Sequence, residues 1–113
     1  LLFSTIFIPI FQPKSPPNQL PPNGVYLVHS HIRDNLYYGM ANIGTRPTLT
    51  NDKHPTLEVN YFNLDMDLYD DILKVSFLEF IRYEHKFNGV SALLNQISKD
   101  KKTCLDLIKD IIK

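Results

Sequence analysis

Two hydrophobic periods divide the chain. Up to about Arg82, apolar residues alternate with polar ones or fall in short blocks, the pattern of strands. The segment 56–64 alternates most cleanly. Leu57, Val59 and Tyr61 share one face, and Glu58, Asn60 and Phe62 share the other. Leu73, Val75 and Phe77 repeat the pattern within a strand expected over 73–82. The Ile- and Phe-rich run 1–11 reads as a strand. Residues 24–31 and 37–43 read as a hairpin closed by a turn at Arg33, Asp34 and Asn35. Between these elements, 12–23 holds five of the eight prolines and reads as an extended connector. Residues 44–55 read as a loop and 65–71 as an acidic turn. The tail then changes period. Val90, Leu93, Leu94 and Ile97 recur at i, i+3, i+4, i+7, and Leu105, Ile108 and Ile112 continue a helical stripe with Cys104 and Ile111 beside it. Asn88 is the expected N-cap, and Asp100 the expected cap of a second helix after a break. Strands first and helix last predict a mainly β domain, a small antiparallel sheet or barrel with a C-terminal helical segment.

The 113 residues suffice for one domain with its own core. Twelve basic residues balance twelve acidic ones, so no strong field draws in nucleic acid or an acidic membrane. The apolar run at the start is shorter than the roughly 20 residues of a membrane span. It also lacks the basic flank and cleavage site of a signal peptide. A single cysteine, Cys104, excludes an internal disulfide and fits a reducing, cytoplasmic setting.

Few constellations suggest chemistry from spacing alone. His29 and His31 share a strand face but have no third zinc ligand at a sensible spacing. Asp65, Asp67, Asp70 and Asp71 lack the glycine and distal glutamate of a calcium loop. There is no phosphate-binding glycine motif and no nucleophile elbow. Tyr37, Tyr38, Tyr61 and Phe62 read as core more readily than as a stacking platform, because no basic groove accompanies them. Glu58 is a carboxylate in the middle of a strand. By spacing alone it faces solvent, the commoner arrangement for a half-buried strand.

Several segments read together change that reading. They are Pro22-Asn23-Gly24-Val25-Tyr26, the run Gly39-Met40-Ala41-Asn42-Ile43-Gly44-Thr45-Arg46-Pro47-Thr48, Leu57-Glu58-Val59, Asp67-Leu68-Tyr69, and Phe80 through Phe87. In this order and spacing they resemble the riboflavin kinase (flavokinase) domain, usually the C-terminal half of the bacterial bifunctional riboflavin kinase/FAD synthetase. The resemblance covers roughly residues 3–100.

It implies a six-stranded antiparallel Greek-key barrel with a C-terminal helical segment, and transfer of the ATP γ-phosphoryl group to the ribityl 5′-hydroxyl of riboflavin, giving FMN. Riboflavin, FMN, ATP and ADP would be the ligands, Mg²⁺ the cofactor with ATP, and an FAD synthetase adenylyltransferase domain a partner in a longer parent chain. Glu58 matches the catalytic base, a role a carboxylate ionised at neutral pH can fill. Thr5 matches the threonine that holds the metal and nucleotide. Asn60, Arg46, Arg82 and Glu84 are the candidate substrate-binding residues. The match departs from the family pattern near the start. Ser4 replaces a proline, Phe7 stands where a metal-holding asparagine is expected, and the glycine-rich segment and first strand have no counterpart. The expectation is a riboflavin kinase-like domain over 1–113, N-terminally incomplete. A second reading, a flavin-binding fragment with impaired catalysis, stays open on Phe7.

Overall fold

The computed structural model describes residues 3–9, 21–47, 53–65 and 73–112, with 3–9, 46–47 and 53–55 placed through the backbone alone. Five strands and one helix follow in the order β1 (Phe3–Pro9), β2 (Gly24–Ile32), β3 (Asn35–Pro47), β4 (Lys53–Phe62), β5 (Ser76–Arg82) and α1 (Val90–Ile111). All strand pairs are antiparallel, and the sheet order is β1-β4-β3-β2-β5. Three consecutive strands, β2 to β4, form a meander. β1 returns through a long connection to lie beside β4, which is the Greek-key arrangement. Among the described residues the sheet is open, with β1 and β5 at its edges. The mainly β class and the C-terminal helix agree with expectation. Of the expected six-stranded Greek-key barrel, five strands in Greek-key order are present among the described residues, and the sheet they form is not closed.

Local chemistry explains the boundaries. Ile32 pairs with Asn35, leaving Arg33 and Asp34 as a two-residue turn with φ of 49° and 72°. Two left-handed residues give the twist that a tight hairpin needs. The expected loop over 44–55 is largely strand. Gly44 pairs with Thr56, Thr45 with Pro55, Arg46 with His54 and Pro47 with Lys53. Proline is tolerated there because the ladder ends at that point. Most of the acidic turn and of the proline-rich connector lies outside the described residues.

The alternation reads correctly onto two faces. Leu57, Val59 and Tyr61 join Tyr26, Val28 and Ile43 in a core on one side, with Leu73, Val75 and Phe77 packed against it. A buried hydrogen bond of 2.7 Å joins the Ser30 and Tyr61 hydroxyls there. The opposite face packs Val25, Leu27, Met40 and Phe62 against α1 through Cys104, Ile97, Leu105 and Ile108. β2 is therefore apolar on both faces, and its continuous run Val25–Val28 has a cause. Two register shifts lie between β2 and β5, at Val25/Tyr26 and Leu27/Val28, and twist the edge strand locally.

The helix corrects two expectations. It is continuous through Asp100, and its N-cap is Gly89, with no side-chain cap bond. Asp100 is buried and faces Arg82 rather than a helix start. A carboxylate drawn into an ion pair leaves no competitor for the backbone bonds of its own helix.

Burial of the helix stripe has a titration consequence. Loss of hydration pushes the Cys104 thiol up to about 12, and the nearby Asp100 carboxylate adds to the rise. Burial raises Tyr26 and Tyr61 as well. All three must stay protonated in the fold while the unfolded chain releases their protons. Stability from Cys104 is thus whole below a thiol's ordinary pKa of about 8.5 and lost as pH climbs towards 12, by at most about 1.4 kcal/mol per pH unit. Thermal melts are expected to fall above about pH 9, with a shallower initial slope in Cys104→Ala. The native thiol is expected to resist a disulfide reagent at pH 8 that modifies it in denaturant. Equal labelling rates with and without denaturant would place the thiol outside the core.

Candidate active site

The ladder brings the motif residues together. Asn42 of β3 lies directly opposite Glu58 of β4, and Met40 lies opposite Asn60. On the far side of β4, Phe7 is registered with Glu58 and Thr5 with Asn60. On the near side, Val25 is registered with both Asn42 and Arg82. The backbone thus carries Phe7, Glu58, Asn42, Val25 and Arg82 in one row across the sheet. Thr5 and Asn60 stand in the next.

A cleft of about 330 Å³ opens over this row, between the sheet and the first half of α1. Glu58, Asn42 and Asn60 form its floor, and Arg82, Glu84 and His85 its polar wall. Leu93 and Ile97 of α1 close the helix side. Glu58 and Asn60 are only partly exposed, on the sheet face against which α1 packs through Ile97, Cys104 and Leu105. An apolar cavity of about 200 Å³ adjoins the cleft, shares Met40, Asn60 and Ile97 with it, and extends to Phe62 and Leu94.

One wall is held by a buried charge pair. The Arg82 guanidinium donates from Nε to both Asp100 carboxylate oxygens at 3.0 and 2.9 Å, and its second terminal nitrogen lies 2.8 Å from Oδ2. The other terminal nitrogen donates to the Tyr83 carbonyl at 3.0 Å. Gln96, one turn earlier on α1, donates to Asp100 Oδ1 at 2.9 Å. Arg82 also stands 5.6 Å from the centroid of the Phe87 ring, and Phe87 stacks at 4.1 Å on His85. Arg82 thereby ties the end of β5 to the middle of α1.

Glu84 closes the cleft at the end where the sequence motifs converge. Asn23 donates to the Thr45 hydroxyl at 3.2 Å and to Glu84 at 3.5 Å. Two glycines line this approach. A Cβ on Gly24 would lie 2.8 Å from the Arg82 carbonyl oxygen. A Cβ on Gly44 would meet only the Glu84 carboxylate, which can swing aside, so Gly24, against the Arg82 backbone, is the glycine that the crossing of β5 requires.

The candidate residues therefore divide. Glu58, Asn60, Arg82 and Glu84 meet around one cleft. Arg46 lies in β3, opposite His54, and not in a loop. Thr5 is placed by register alone. His29 and His31 stand 6.4 Å apart between ring centroids, and among the described residues no group of three His, Cys, Asp or Glu could hold a metal ion. No helix among the described residues is long and apolar enough to cross a membrane. The sequence pattern takes Asp100 for a helix cap and gives Asn42 and His85, though both lie in motif segments, no role of their own. Asn42 becomes conspicuous only once β3 is aligned against β4, and Asp100 only once α1 is set on the sheet.

An open Greek-key sheet with a carboxylate and two amides under a C-terminal helix defines the class of small β domain to which the sequence motifs pointed. The riboflavin kinase family model, Flavokinase, matches residues 1–108. The chain belongs to the riboflavin kinase family. It is 35% identical over 96 residues to a bifunctional riboflavin kinase/FMN adenylyltransferase of Bacillus subtilis, covering 83% of this chain and 30% of that protein. The protein of the same description from Pseudomonas fluorescens is 40% identical over 82 residues, covering 73% of this chain and 26% of that protein. A solved structure from Streptococcus pneumoniae, described as a macrolide-efflux protein, superposes with a TM-score of 0.68 at 32% identity, over 75% of this chain and 28% of that one. The chain spans about a quarter to a third of the length of the curated relatives it matches.

Proposed function

We propose that this chain carries the riboflavin kinase reaction, in which the ribityl 5′-hydroxyl of riboflavin attacks the γ-phosphorus of ATP and FMN and ADP leave. The observation that carries the reading is the position of Glu58. Its carboxylate lies in a roofed cleft, between Asn42 and the backbone of the strand that bears Thr5. The hydroxyl proton passes to the Glu58 carboxylate as the new P–O bond forms and the bond to the ADP oxygen breaks. A positioned base supplies about 10²–10⁴ of the rate. Alignment of the two substrates supplies more. The apolar cavity beside Met40 and Phe62 suits a flat ring system, and the amide-lined cleft suits a polyol chain.

Mg²⁺ with ATP fits the donors at this place. Magnesium takes oxygen ligands, needs few from the protein and keeps waters and phosphate oxygens for the rest. The Glu58 carboxylate and the Asn60 amide oxygen, with Thr5 registered opposite Asn60, make an oxygen-rich place without a thiolate. Thr5 is the residue that would hold the ion. When bound, Mg²⁺ would neutralise charge on the phosphates. Arg46 is read as a phosphate or flavin contact and Glu84 as a flavin-side contact. The relatives' names join this activity to FMN adenylyltransferase, and a domain of that kind is the proposed partner.

Phe7 favours a second reading, flavin binding without turnover. Its register opposite Glu58 puts a side chain with no oxygen where the family pattern has an asparagine. A turnover assay separates the two. The chain is incubated with riboflavin, ATP and Mg²⁺, and FMN is followed by chromatography. FMN above a protein-free control is the expected result. Flavin fluorescence quenched by the protein with no FMN formed would favour the second reading, and neither signal would overturn both.

A further inference from the structure

We propose that Asn42 orients the substrate, its Oδ1 accepting a hydrogen bond from a hydroxyl of the riboflavin polyol chain adjacent to the one that Glu58 deprotonates. The inference rests on the riboflavin kinase reading and adds a residue to it. Asn42 Oδ1 is buried and has no hydrogen-bond partner among the described residues. A buried acceptor left unpaired is costly, and such atoms in native folds call for an explanation. Its residue lines the cleft and is registered directly across the ladder from Glu58, so a small turn of the amide brings the oxygen to a ligand there.

The chemistry of the unpaired acceptor selects the ligand. An amide oxygen needs a donor. Phosphate oxygens only accept, so the nucleotide's phosphates do not serve it. The ribityl chain carries a hydroxyl donor on each carbon beyond the one bonded to the ring. Side chains directly opposite in an antiparallel pair have Cβ atoms about 4.5–5.5 Å apart, a spacing that adjacent hydroxyls of an extended polyol can span. Glu58 would hold the reacting hydroxyl while Asn42 fixes the rotation of the chain behind it. The other described buried side-chain atom without a partner, His29 Nδ1, is not among the residues that line this cleft.

The test uses Asn42→Ala and Asn42→Ser, with riboflavin and with lumiflavin, which has the ring but a methyl group in place of the polyol. Asn42→Ala is expected to weaken riboflavin binding about tenfold and to leave lumiflavin binding unchanged. KM for riboflavin should rise at least as much as kcat falls. Asn42→Ser, which keeps a short acceptor, should fall between. The ligand-free melting temperature should stay within about 3 °C of the parent, because no described protein partner is lost. A collapse of that temperature, or an equal loss of lumiflavin affinity, would make Asn42 structural and overturn the proposal. A change confined to the Mg²⁺ requirement would overturn it in favour of a cation ligand. Unchanged riboflavin affinity in both variants, with the parent binding normally, would sink this inference alone. A parent chain that binds no riboflavin would sink the kinase reading with it.

Discussion

Glu58→Gln is expected to lower FMN formation by about 10²–10⁴-fold and to leave riboflavin affinity within a few-fold of the parent. The substitution keeps the size and shape of the side chain and one of its two oxygens. It removes the ability to take a proton. The cost should therefore fall on the step in which the hydroxyl attacks phosphorus, so kcat and kcat/KM decline together while KM changes little. Glu58 lies opposite Asn42 in the ladder, on a strand whose other face is buried through Leu57 and Val59. The strand position is thus fixed mainly by packing on the other face, and the melting temperature should fall by no more than a few degrees. An unchanged rate would remove Glu58 from the mechanism. A parallel loss of flavin affinity and rate would make it a binding group instead of a base. Either result would leave the family assignment standing, because that rests on the length and identity of the match and not on this side chain.

How far the sequence alone discloses this arrangement depends on what kind of force sets each part. Alternation in β4 is governed by burial of Leu57, Val59 and Tyr61, so the strand and its faces are legible from residue type. The helix is legible for the same reason. The ends of elements are not. Gly44 to Pro47 look like turn formers, yet they extend β3 because Thr56, Pro55, His54 and Lys53 arrive opposite them. That pairing is a property of two segments at once. Spacing alone places Glu58 in water, because nothing in the strand records that α1 covers this face. Motif resemblance put the residue in a site. Asp100 shows the limit most clearly. It reads as a helix cap, since aspartate usually caps, and it is instead the buried partner of an arginine 18 residues earlier.

That pair sets the second large effect. Arg82→Leu is expected to destabilise the fold by about 3–5 kcal/mol, because it leaves the Asp100 carboxylate buried with Gln96 as its remaining described hydrogen-bond donor. Asp100→Leu is expected to cost less. The Arg82 side chain is 23% exposed against 4% for Asp100, so the orphaned guanidinium keeps some water and its bond to the Tyr83 carbonyl. The double variant Arg82→Leu/Asp100→Leu should recover much of the loss, since a buried pair replaced by apolar residues of similar volume is often nearly neutral. Denaturant melts of the four proteins give the coupling energy directly. The same set separates two roles for Arg82. If it serves only to hold α1 on the sheet, the double variant regains activity along with stability. If its guanidinium also contacts substrate from the cleft wall, the double variant regains stability and stays slow. Near-additive losses, with no recovery in the double variant, would mean that the helix is held by Cys104, Leu105 and Ile108 and that the ion pair adds little.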